Sequence, residues 1–518
     1  MSSSPAPVVH SPLTGSTRVI GTLALSAATF MNVLDSSIAN VSLPAIAGDL
    51  GVSPVQGTWV ITSFAVANAI SVPLTGWLTQ RIGQVRLFMA SVLLFVLSSW
   101  LCGLAPNMTL LIAFRALQGF VAGPLIPLSQ TLLLSSYPPA MAGLAMAMWS
   151  ITTLVAPIMG PLLGGWITDN MSWPWIFYIN VPVGLLAAAA TWMIYRERES
   201  PTKQVPIDAV GLSLLVLWVG ALQLMLDKGK ELDWFHSGQI IAFAVVSVVG
   251  LAFFLVWELT EEHPVVDLSL FKRRNFWSSA LATAVGYGLF FGNVVILPLW
   301  LQQFMGYTAT QAGMIMAPVG LLAIVLSPIV GLTLNKVDPR KYATFSFLVF
   351  AVVLWMRSRF TTQTDFDTIM IPTIIQGVAM AFFFIPLVTI TLAGIDPSRI
   401  PAASGLSNFM RITAGAVGTS ISTTMWEDRA ALHHANLAET INYGSQTAMA
   451  TIDTLQARGM SHEQALGFIN NLVTQQAFML STQEIFYGSA LMFLMLIPLV
   501  WLAKRPRGGA AADAAGAH

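Results

Sequence analysis

One acidic side chain lies deep inside an apolar stretch of this sequence. Residues 19–43 read VIGTLALSAATFMNVLDSSIANVSL, and Asp35 is the only charged residue among them. An acid at membrane depth costs at least about 2.5–3.5 kcal/mol on insertion scales, and such residues usually mark an ion or proton path. Asp35 therefore predicts reversible proton binding inside a membrane, although a structural acid paired with a neighbour would satisfy the same pattern.

The composition requires that the elements around Asp35 be membrane spans. Of the 518 residues, 55% are hydrophobic and only 9% are charged, whereas a soluble domain carries about 25% charged residues. The formal net charge of zero argues against a nucleic-acid-binding surface. Cys102 is the single cysteine, which excludes an internal disulfide and a cysteine-based metal cluster. The sequence contains no phosphate-binding-loop motif, so we expect no nucleotide, cofactor or metal, and protons as the coupling ion.

Fourteen segments approach the length of about 20 apolar residues that a spanning helix needs. They are 18–43, 57–78, 87–104, 110–134, 141–167, 176–195, 209–226, 240–257, 277–301, 311–334, 342–356, 369–393, 402–425 and 485–503. The pattern predicts an all-α polytopic membrane protein with a disordered tail at 1–17 and a second tail at 504–518. Arg357 and Arg359 follow the eleventh segment, where we expect them to reach the membrane surface.

The distribution of basic residues predicts the orientation of the chain. If the N-terminus is inside, 16 of the 24 Lys and Arg residues fall in inner tails and loops, and six fall in outer loops. Cytoplasmic loops of membrane proteins carry such an excess of basic residues. Both termini are therefore predicted to be cytoplasmic.

The sequence contains a parallel internal repeat. Residues 71–86 (SVPLTGWLTQRIGQVR) resemble residues 326–341 (LSPIVGLTLNKVDPRK), and Gln118 is echoed by Gln376. Parallel repeats of this kind imply alternating access around a site near the membrane midplane. The predicted parts are an N-terminal six-span bundle at 18–195, two inserted spans at 209–257 and a C-terminal six-span bundle at 277–503.

Four short motifs occur in order along the chain. They are VLDSSIANVSLP at 33–44, GWLTQRIGQVR at 76–86, RALQGFVAG at 115–123 and APIMGPLLGG at 156–165. This set resembles the major facilitator superfamily, and specifically its fourteen-span drug:proton antiporters. Two positions depart from the family pattern, because Gln80 replaces the usual Asp and Ala156 replaces a customary Gly. The resemblance implies the major facilitator fold, with two six-helix bundles and two inserted spans.

The resemblance also implies roles for individual residues. The first and fourth spans line the central cavity in this superfamily, so Asp35 and Arg115 are predicted to form the proton-coupling pair. A gating or conformational role is implied for Gly76, Arg81, Gly83, Arg86, Gly160, Pro161, Gly164 and Gly165. Packing of small residues between helices and the positive-inside bias are alternative explanations of these gating residues.

Polar or amphipathic residues at mid-depth are candidates for a substrate cavity, although each could instead bond a neighbouring helix. They are Asn32, Asn68, Gln118, Trp149, Asn293, Gln376, Asn408 and Arg411. Arg411 lies in the inner half of the thirteenth segment, where we expect contact with either an anionic substrate or polar groups such as Asn408.

The longest soluble segment, 426–484, lies on the predicted outer side. Ser461 and Gln464 fit a capping box, and an apolar helical stripe follows them, so we expect helical extensions of the last two spans. The resemblance implies that this segment docks a periplasmic adaptor protein, which leads to an outer-membrane channel. A lid without partners is the alternative. The resemblance also implies location in a bacterial inner membrane.

These observations together predict a proton-driven exporter of hydrophobic drugs and uncouplers that confers antibiotic resistance. A dedicated exporter of one endogenous metabolite is an alternative. A non-transporting receptor or scaffold is another, although a scaffold has no use for an acid in an apolar span. No nucleophile–base pair or metal-ligand cluster is evident at membrane depth, so we do not expect an enzyme.

Overall fold

The computed structural model describes residues 11–204, 206–334, 336–439, 441 and 445–505. Within these residues the chain is helical, and no β-strand occurs. Residues 15–17, which were expected to belong to the N-terminal tail, instead form the first turn of the first helix. Residues 1–10 and 506–518 of the expected tails lie outside the described residues.

Fourteen long helical segments coincide with the fourteen predicted spans. They are α1 (Gly15–Asp49), α2 (Trp59–Ile82), α3 (Gln84–Gly103), α4 (Met108–Ser136), α5 (Ala142–Asn170), α6 (Trp175–Tyr195), α7 (Ala209–Lys228), α8 (Gly238–Thr260), α9 (Arg274–Phe304), α10 (Ala309–Thr333), α11 (Pro339–Arg357), α12 (Phe366–Leu392), α13 (Ile400–Glu439) and α14 (His462–Trp501). Twelve of them are long and apolar enough to cross a membrane by length and composition. The other two, α11 and α13, each contain a buried arginine.

Several helix boundaries follow from local side-chain chemistry. The side chain of Asn107 accepts the backbone N–H of Leu110 at the start of α4, which satisfies one of the unpaired donors at a helix N-terminus. Thr308 begins α10 with a capping box, and the capping box expected at Ser461 is present at the start of α14. Gly83, with a φ of +97°, separates α2 from α3, because only glycine adopts this backbone conformation without strain.

The long helices pack as two halves, which we name the N-half (α1–α6) and the C-half (α9–α14). Helix α1 packs along α5 in the N-half, and α9 packs along α13 in the C-half. The inserted helices α7 and α8 pack on each other, and α7 also contacts α2 and α13. Trp218 of α7 contacts Phe409 of α13 edge to face. The inserted pair therefore covers a seam where the two halves meet.

The two halves touch at the face of the molecule that carries the described chain ends, which we call the terminal face. A Cβ atom on Gly76 of α2 would lie 2.5 Å from the Cβ atom of Ala402 in α13. A Cβ atom on Gly331 of α10 would lie 2.5 Å from the carbonyl oxygen of Gly143 in α5. Glycine permits these close helix approaches because it has no side chain. The halves are therefore closed against each other at the terminal face.

Helix packing inside the N-half predicts a difference between two glycine substitutions. A Cβ atom on Gly119 of α4 would lie 2.9 Å from the Cα atom of Phe64 in α2, whereas a Cβ atom on Gly220 of α7 meets no atom within 4 Å. We expect Gly119→Ala to lower the free energy of unfolding in detergent by about 1–3 kcal/mol through overpacking. Gly220→Ala is the matched control, and we expect no loss of stability there. Equal unfolding temperatures for the two variants would contradict this packing.

Candidate functional site

The buried acid and the buried base meet inside the N-half. Asp35 lies past the middle of α1, and Arg115 lies in the first half of α4. The Nη1 atom of Arg115 is 2.5 Å from the Oδ2 atom of Asp35, and both residues have no exposed surface. A charge-assisted hydrogen bond of this length is a strong interaction in a protein interior. The structure therefore brings the two predicted coupling residues together as an ion pair, and their role in proton coupling stays a prediction.

The other carboxylate oxygen of Asp35 accepts two amide hydrogen bonds. The donors are the Nε2 atom of Gln118 at 3.0 Å and the Nδ2 atom of Asn180 at 2.8 Å. Both amides also donate to the hydroxyl oxygen of Ser99, at 2.6 and 3.1 Å. The Oε1 atom of Gln118 in turn accepts from Arg115 at 2.7 Å. Side chains from α1, α3, α4 and α6 thus form one buried network around the carboxylate.

Aromatic rings and a backbone carbonyl hold the guanidinium group of Arg115 in place. Its Nε atom donates to the carbonyl oxygen of Val60 at 2.9 Å. Its Cζ atom lies 4.3 Å from the centre of the Phe64 ring and 5.5 Å from the centre of the Phe177 ring. These contacts fix the cation beside Asp35, because an arginine moved away from them would lose both cation–π and hydrogen-bond energy. A proton that binds Asp35 would therefore compete with Arg115 for the carboxylate.

Two of the predicted gating glycines in α5 pack against α1 beside the acid. A Cβ atom on Gly160 would lie 2.8 Å from the Cβ atom of Ser37, and one on Gly164 would lie 2.8 Å from a side-chain carbon of Ile38. Both contacts are inside the N-half and within three residues of Asp35 in the sequence. Gly165 is half-buried in the same helix. The side chain of Pro161 lies outside the part that the structure describes.

The loop between α2 and α3 is organised by an acid that the motif does not contain. Glu199, which follows α6, accepts the backbone N–H of Arg86 at 2.8 Å, and its carboxylate lies beside Gly83. The side chain of Arg86 is mostly exposed, and its Nε atom lies 4.0 Å from the Oε2 atom of Glu199. Arg81 lies 5.6 Å from the centre of the Trp77 ring. The described contacts of Gly83 and Arg86 thus tie the loop to the end of the N-half.

The eight cavity candidates do not form one cluster. Gln118 belongs to the network of Asp35, and Asn32 and Asn68 each donate to a backbone carbonyl oxygen of α4 at 3.3 Å. Asn293 donates to the carbonyl oxygen of Leu289 in its own helix at 2.6 Å. These asparagines therefore join or stabilise helices in this state of the protein.

Gln376 belongs to a second buried network, in the C-half. Its Oε1 atom accepts from Arg357 at 2.6 Å, and Thr373 accepts from the same guanidinium group at 3.0 Å. Arg357 has no exposed surface, so the expectation that it reaches the membrane surface is wrong. The amide and hydroxyl partners on α12 satisfy part of its donor capacity and hold it inside the C-half. Arg359 is exposed, as expected.

The remaining three candidates meet at the junction between the halves. Arg411 is 5% exposed, and its Nη2 atom donates to the Oδ1 atom of Asn408 at 2.8 Å. Asn408 also donates to the Oε1 atom of Gln130, in the N-half, at 3.2 Å. Trp149 of α5 places its ring 5.7 Å from the Cζ atom of Arg411. The junction therefore combines polar groups of both halves around one cation.

Sequence reasoning missed Ser99 and Asn180, which complete the network of Asp35. The available signal was a polar residue within an apolar segment, which many helices contain for ordinary packing reasons. Gln130 was missed for the same reason. Among the described residues, no group of three or more His, Cys, Asp and Glu side chains could hold a metal ion.

Fourteen helices around a buried ion pair define a polytopic helical membrane protein. The family model described as Major Facilitator Superfamily matches residues 25–419. The crystal structure of the human organic anion transporter MFSD10 (TETRAN) has the same fold, with a TM-score of 0.59, 13% identity and coverage of 94% of this chain and 100% of that chain.

Much closer relatives match almost the whole length of the chain. The multidrug export protein EmrB of Escherichia coli (strain K12) is 54% identical over 98% of this chain and 99% of its own length. The fatty acid resistance protein FarB of Neisseria gonorrhoeae is 52% identical over 96% of this chain and 98% of its own length. The chain therefore belongs to the major facilitator superfamily of membrane transporters and, within it, to the EmrB family.

The ion pair predicts that removal of one charge is worse than removal of both. Arg115→Met leaves the carboxylate of Asp35 buried with only amide donors, and breaking a buried ion pair in this way costs about 3–5 kcal/mol. We expect a large fall in the free energy of unfolding in detergent for this variant. The double variant Asp35→Asn/Arg115→Met should recover part of the loss, because no unpaired charge remains. A single variant as stable as the parent chain would show that the pair contributes nothing to folding.

Proposed function

We propose that this chain is a proton-coupled multidrug efflux antiporter of the bacterial inner membrane. The observation that carries the proposal is the fully buried carboxylate of Asp35, which Arg115, Gln118 and Asn180 contact directly. Arg115 is the one counter-charge of this carboxylate within the part of the chain that the structure describes, and a carboxylate in this situation can exchange its partner for a proton. The names of close relatives, which include multidrug export proteins, supply the second support.

We propose that export proceeds by alternating access. The excess of basic residues in one set of loops favours a cytoplasmic position for both termini, so the terminal face is the cytoplasmic face. The contacts of Gly76 with Ala402 and of Gly143 with Gly331 then close the protein towards the cytoplasm. Drug would enter when these contacts open, and it would leave on the outer side as protons enter.

The helix contacts support a route from the protonated acid to the gate. Asp35 lies in α1, which packs on α5 at Gly160 and Gly164. The same helix α5 approaches α10 of the C-half at Gly143 and Gly331. Protonation of Asp35 would weaken its interaction with Arg115 and allow α1 and α5 to shift together. Tightly packed helices change position in discrete steps, which suits a two-state gate.

The substrates are proposed to be hydrophobic drugs and uncouplers. A second candidate is a dedicated exporter of one endogenous class of compound, and the similarity to a fatty acid resistance protein favours fatty acids in that role. A receptor or scaffold without transport activity is less well supported, because well-packed apolar residues often stabilise a protein interior as well as a buried ion pair does.

We propose that the segment 426–484 docks an EmrA-like periplasmic adaptor, which connects to a TolC-like outer-membrane channel. Helices α13 and α14 continue far beyond the predicted spans, and Arg429 bonds Glu484 at 2.7 and 2.9 Å near their base. Phe468 and Leu472 are each 42% exposed on α14, roughly 20 Å or more beyond the predicted span at 1.5 Å per residue. Exposed apolar side chains on a projecting helix suit a partner groove or coiled coil.

Replacement of the coupling acid gives the central test of the antiport proposal. Asp35→Asn keeps the size of the side chain and removes the group that binds the proton. We expect the purified variant to insert into liposomes with a lowered unfolding temperature, because Arg115 loses its counter-charge. Drug-driven proton exchange per inserted protein should fall by at least about tenfold, because the titratable group is gone. Asp49→Asn, at the end of α1, is the control and should exchange protons at the parental rate. Parental exchange by Asp35→Asn would refute the proposal.

Substitutions on the projecting helix test the docking proposal separately. Phe468→Asp together with Leu472→Asp should abolish co-purification with the adaptor and cellular drug resistance, since a charge opposes burial in an apolar interface. Proton exchange in liposomes should remain, because the coupling acid lies in α1. Asn471→Asp adds a charge at a neighbouring exposed position without loss of an apolar group and serves as control. Full resistance in the double variant would assign the segment to another role.

A further inference from the structure

Two unpaired hydrogen-bond donors, one from each half, line the same small cavity. The Nε atom of Arg411 and the Nε1 atom of Trp149 have no hydrogen-bond partner among the described residues. The two residues are 5% and 1% exposed. Both line a cavity of about 10 Å³ between the halves. Because neither group can accept a hydrogen bond, the chemistry that satisfies them is an acceptor.

The charge of Arg411 is also uncompensated. Within the described part of the chain no Asp or Glu oxygen lies within 4.0 Å of its guanidinium group, whereas Arg115 has a carboxylate oxygen at 2.5 Å. Arg411 instead has the amide oxygen of Asn408 and the faces of aromatic rings, among them Tyr287 at 4.8 Å. Aromatic rings stabilise a cation less completely than a carboxylate does. An anion is therefore the natural partner of this group.

We infer that Arg411 and Trp149 form the subsite that holds the acidic group of those substrates that carry one. A carboxylate offers two oxygen atoms, and a planar guanidinium group recognises them by parallel hydrogen bonds. The rings of Tyr287 and Phe384, which surround the cation, would contact the hydrophobic body of the substrate. The inference rests on the proposed export function, because it names residues that would hold part of the substrate in the same transporter.

The position of the site makes anion binding depend on the state of the transporter. In this structure the cavity holds at most about one water molecule, and a hydrogen bond from Asn408 to Gln130 joins the two halves at its wall. Asn408 and Arg411 belong to the C-half, whereas Gln130 and Trp149 belong to the N-half. Separation of the halves at the terminal face would therefore expose Arg411 to the opening. A ligand drives a conformational change only if it binds the two states differently, and this site provides that difference.

The alternative explanation is that Arg411 has only a structural role, and Arg357 provides a control for it within the same chain. Arg357 is fully buried and also forms no ion pair among the described residues. Its partners Gln376 and Thr373, and the nearby ring of Phe486, all belong to the C-half. Arg411 differs because it lines a cavity that residues of both halves share. The two arginines can therefore be substituted in parallel.

The test compares two probes of one shape that differ in charge, 1-naphthylacetate and 1-naphthylacetamide. Binding to the purified full-length protein in detergent is measured by calorimetry at neutral pH. We expect the parent chain to bind the acid at least about tenfold more tightly than the amide, as a charge-assisted hydrogen bond allows. Arg411→Gln should reduce this ratio to about one, and Arg411→Lys should give an intermediate ratio because it keeps the charge without the planar fork. Arg357→Gln should keep the parental ratio.

Two results for the arginine variants would overturn the inference. A parental ratio in Arg411→Gln, or a parent chain that does not prefer the acid, overturns the inference. An equal loss in Arg357→Gln assigns the effect to general buried charge and also overturns it. If Arg411→Gln does not fold, Trp149→Phe, which removes one donor and keeps the ring, should lower the ratio, and an unchanged ratio there counts against the site. Proton exchange driven by an uncharged hydrophobic drug, in the parent chain and Asp35→Asn, tests the export function independently.

Discussion

The structure depends above all on the neutralisation of one carboxylate inside the membrane domain. Removal of a partner from a buried charge costs several kcal/mol, so Asp35 needs donors from its surroundings. Arg115, Gln118 and Asn180 supply them, and these donors come from helices that are distant in sequence. The packing of α1, α4 and α6 is therefore constrained by the same bonds that surround the acid proposed to exchange a proton. The hydrogen bonds to Asp35 therefore both stabilise the N-half and set the environment of the acid.

Close helix packing extends this constraint to the other half. Gly160 and Gly164 bring α5 against α1 beside the acid, and Gly143 brings α5 against Gly331 of α10. Closely packed interiors resist gradual deformation, so they tend to move between discrete arrangements. Under the proposed mechanism, the charge state of a single side chain in α1 would favour one arrangement of two halves that approach each other closely at Gly143 and Gly331. Of the two departures from the family motif, Ala156 lies at the contact of α5 with α1, because its carbonyl oxygen accepts a hydrogen bond from Ser37 at 3.5 Å beside Gly160.

The two halves of the internal repeat share a glutamine that bonds a buried arginine, but they differ in the charge of the arginine's other partners. Gln118 in α4 and Gln376 in α12 both accept a hydrogen bond from a buried arginine. In the N-half the arginine also has a carboxylate, whereas in the C-half Arg357 has only neutral partners. The two arginines belong to helices that the repeat does not relate, α4 and α11, so the repeat accounts for the glutamines and not for their partners. Arg411, at the junction, is a third buried cation that has neutral partners among the described residues.

The sequence by itself determined the number and approximate position of the spans and the identity of the acid at Asp35, but not the separate helix Gln446–Ala457. The length and hydrophobicity of each segment suffice to find the spans, because every spanning helix must cross an apolar layer of about the same thickness. The four motifs also led to Asp35 and Arg115 as a pair. Only the tertiary structure decided that Asn180 and Ser99 complete their network, that Arg357 is buried, and that the eight polar candidates divide among separate groups. Spacing along the chain gives the depth of a residue in the membrane, but the rotation of each helix and its neighbours depend on packing among all fourteen helices.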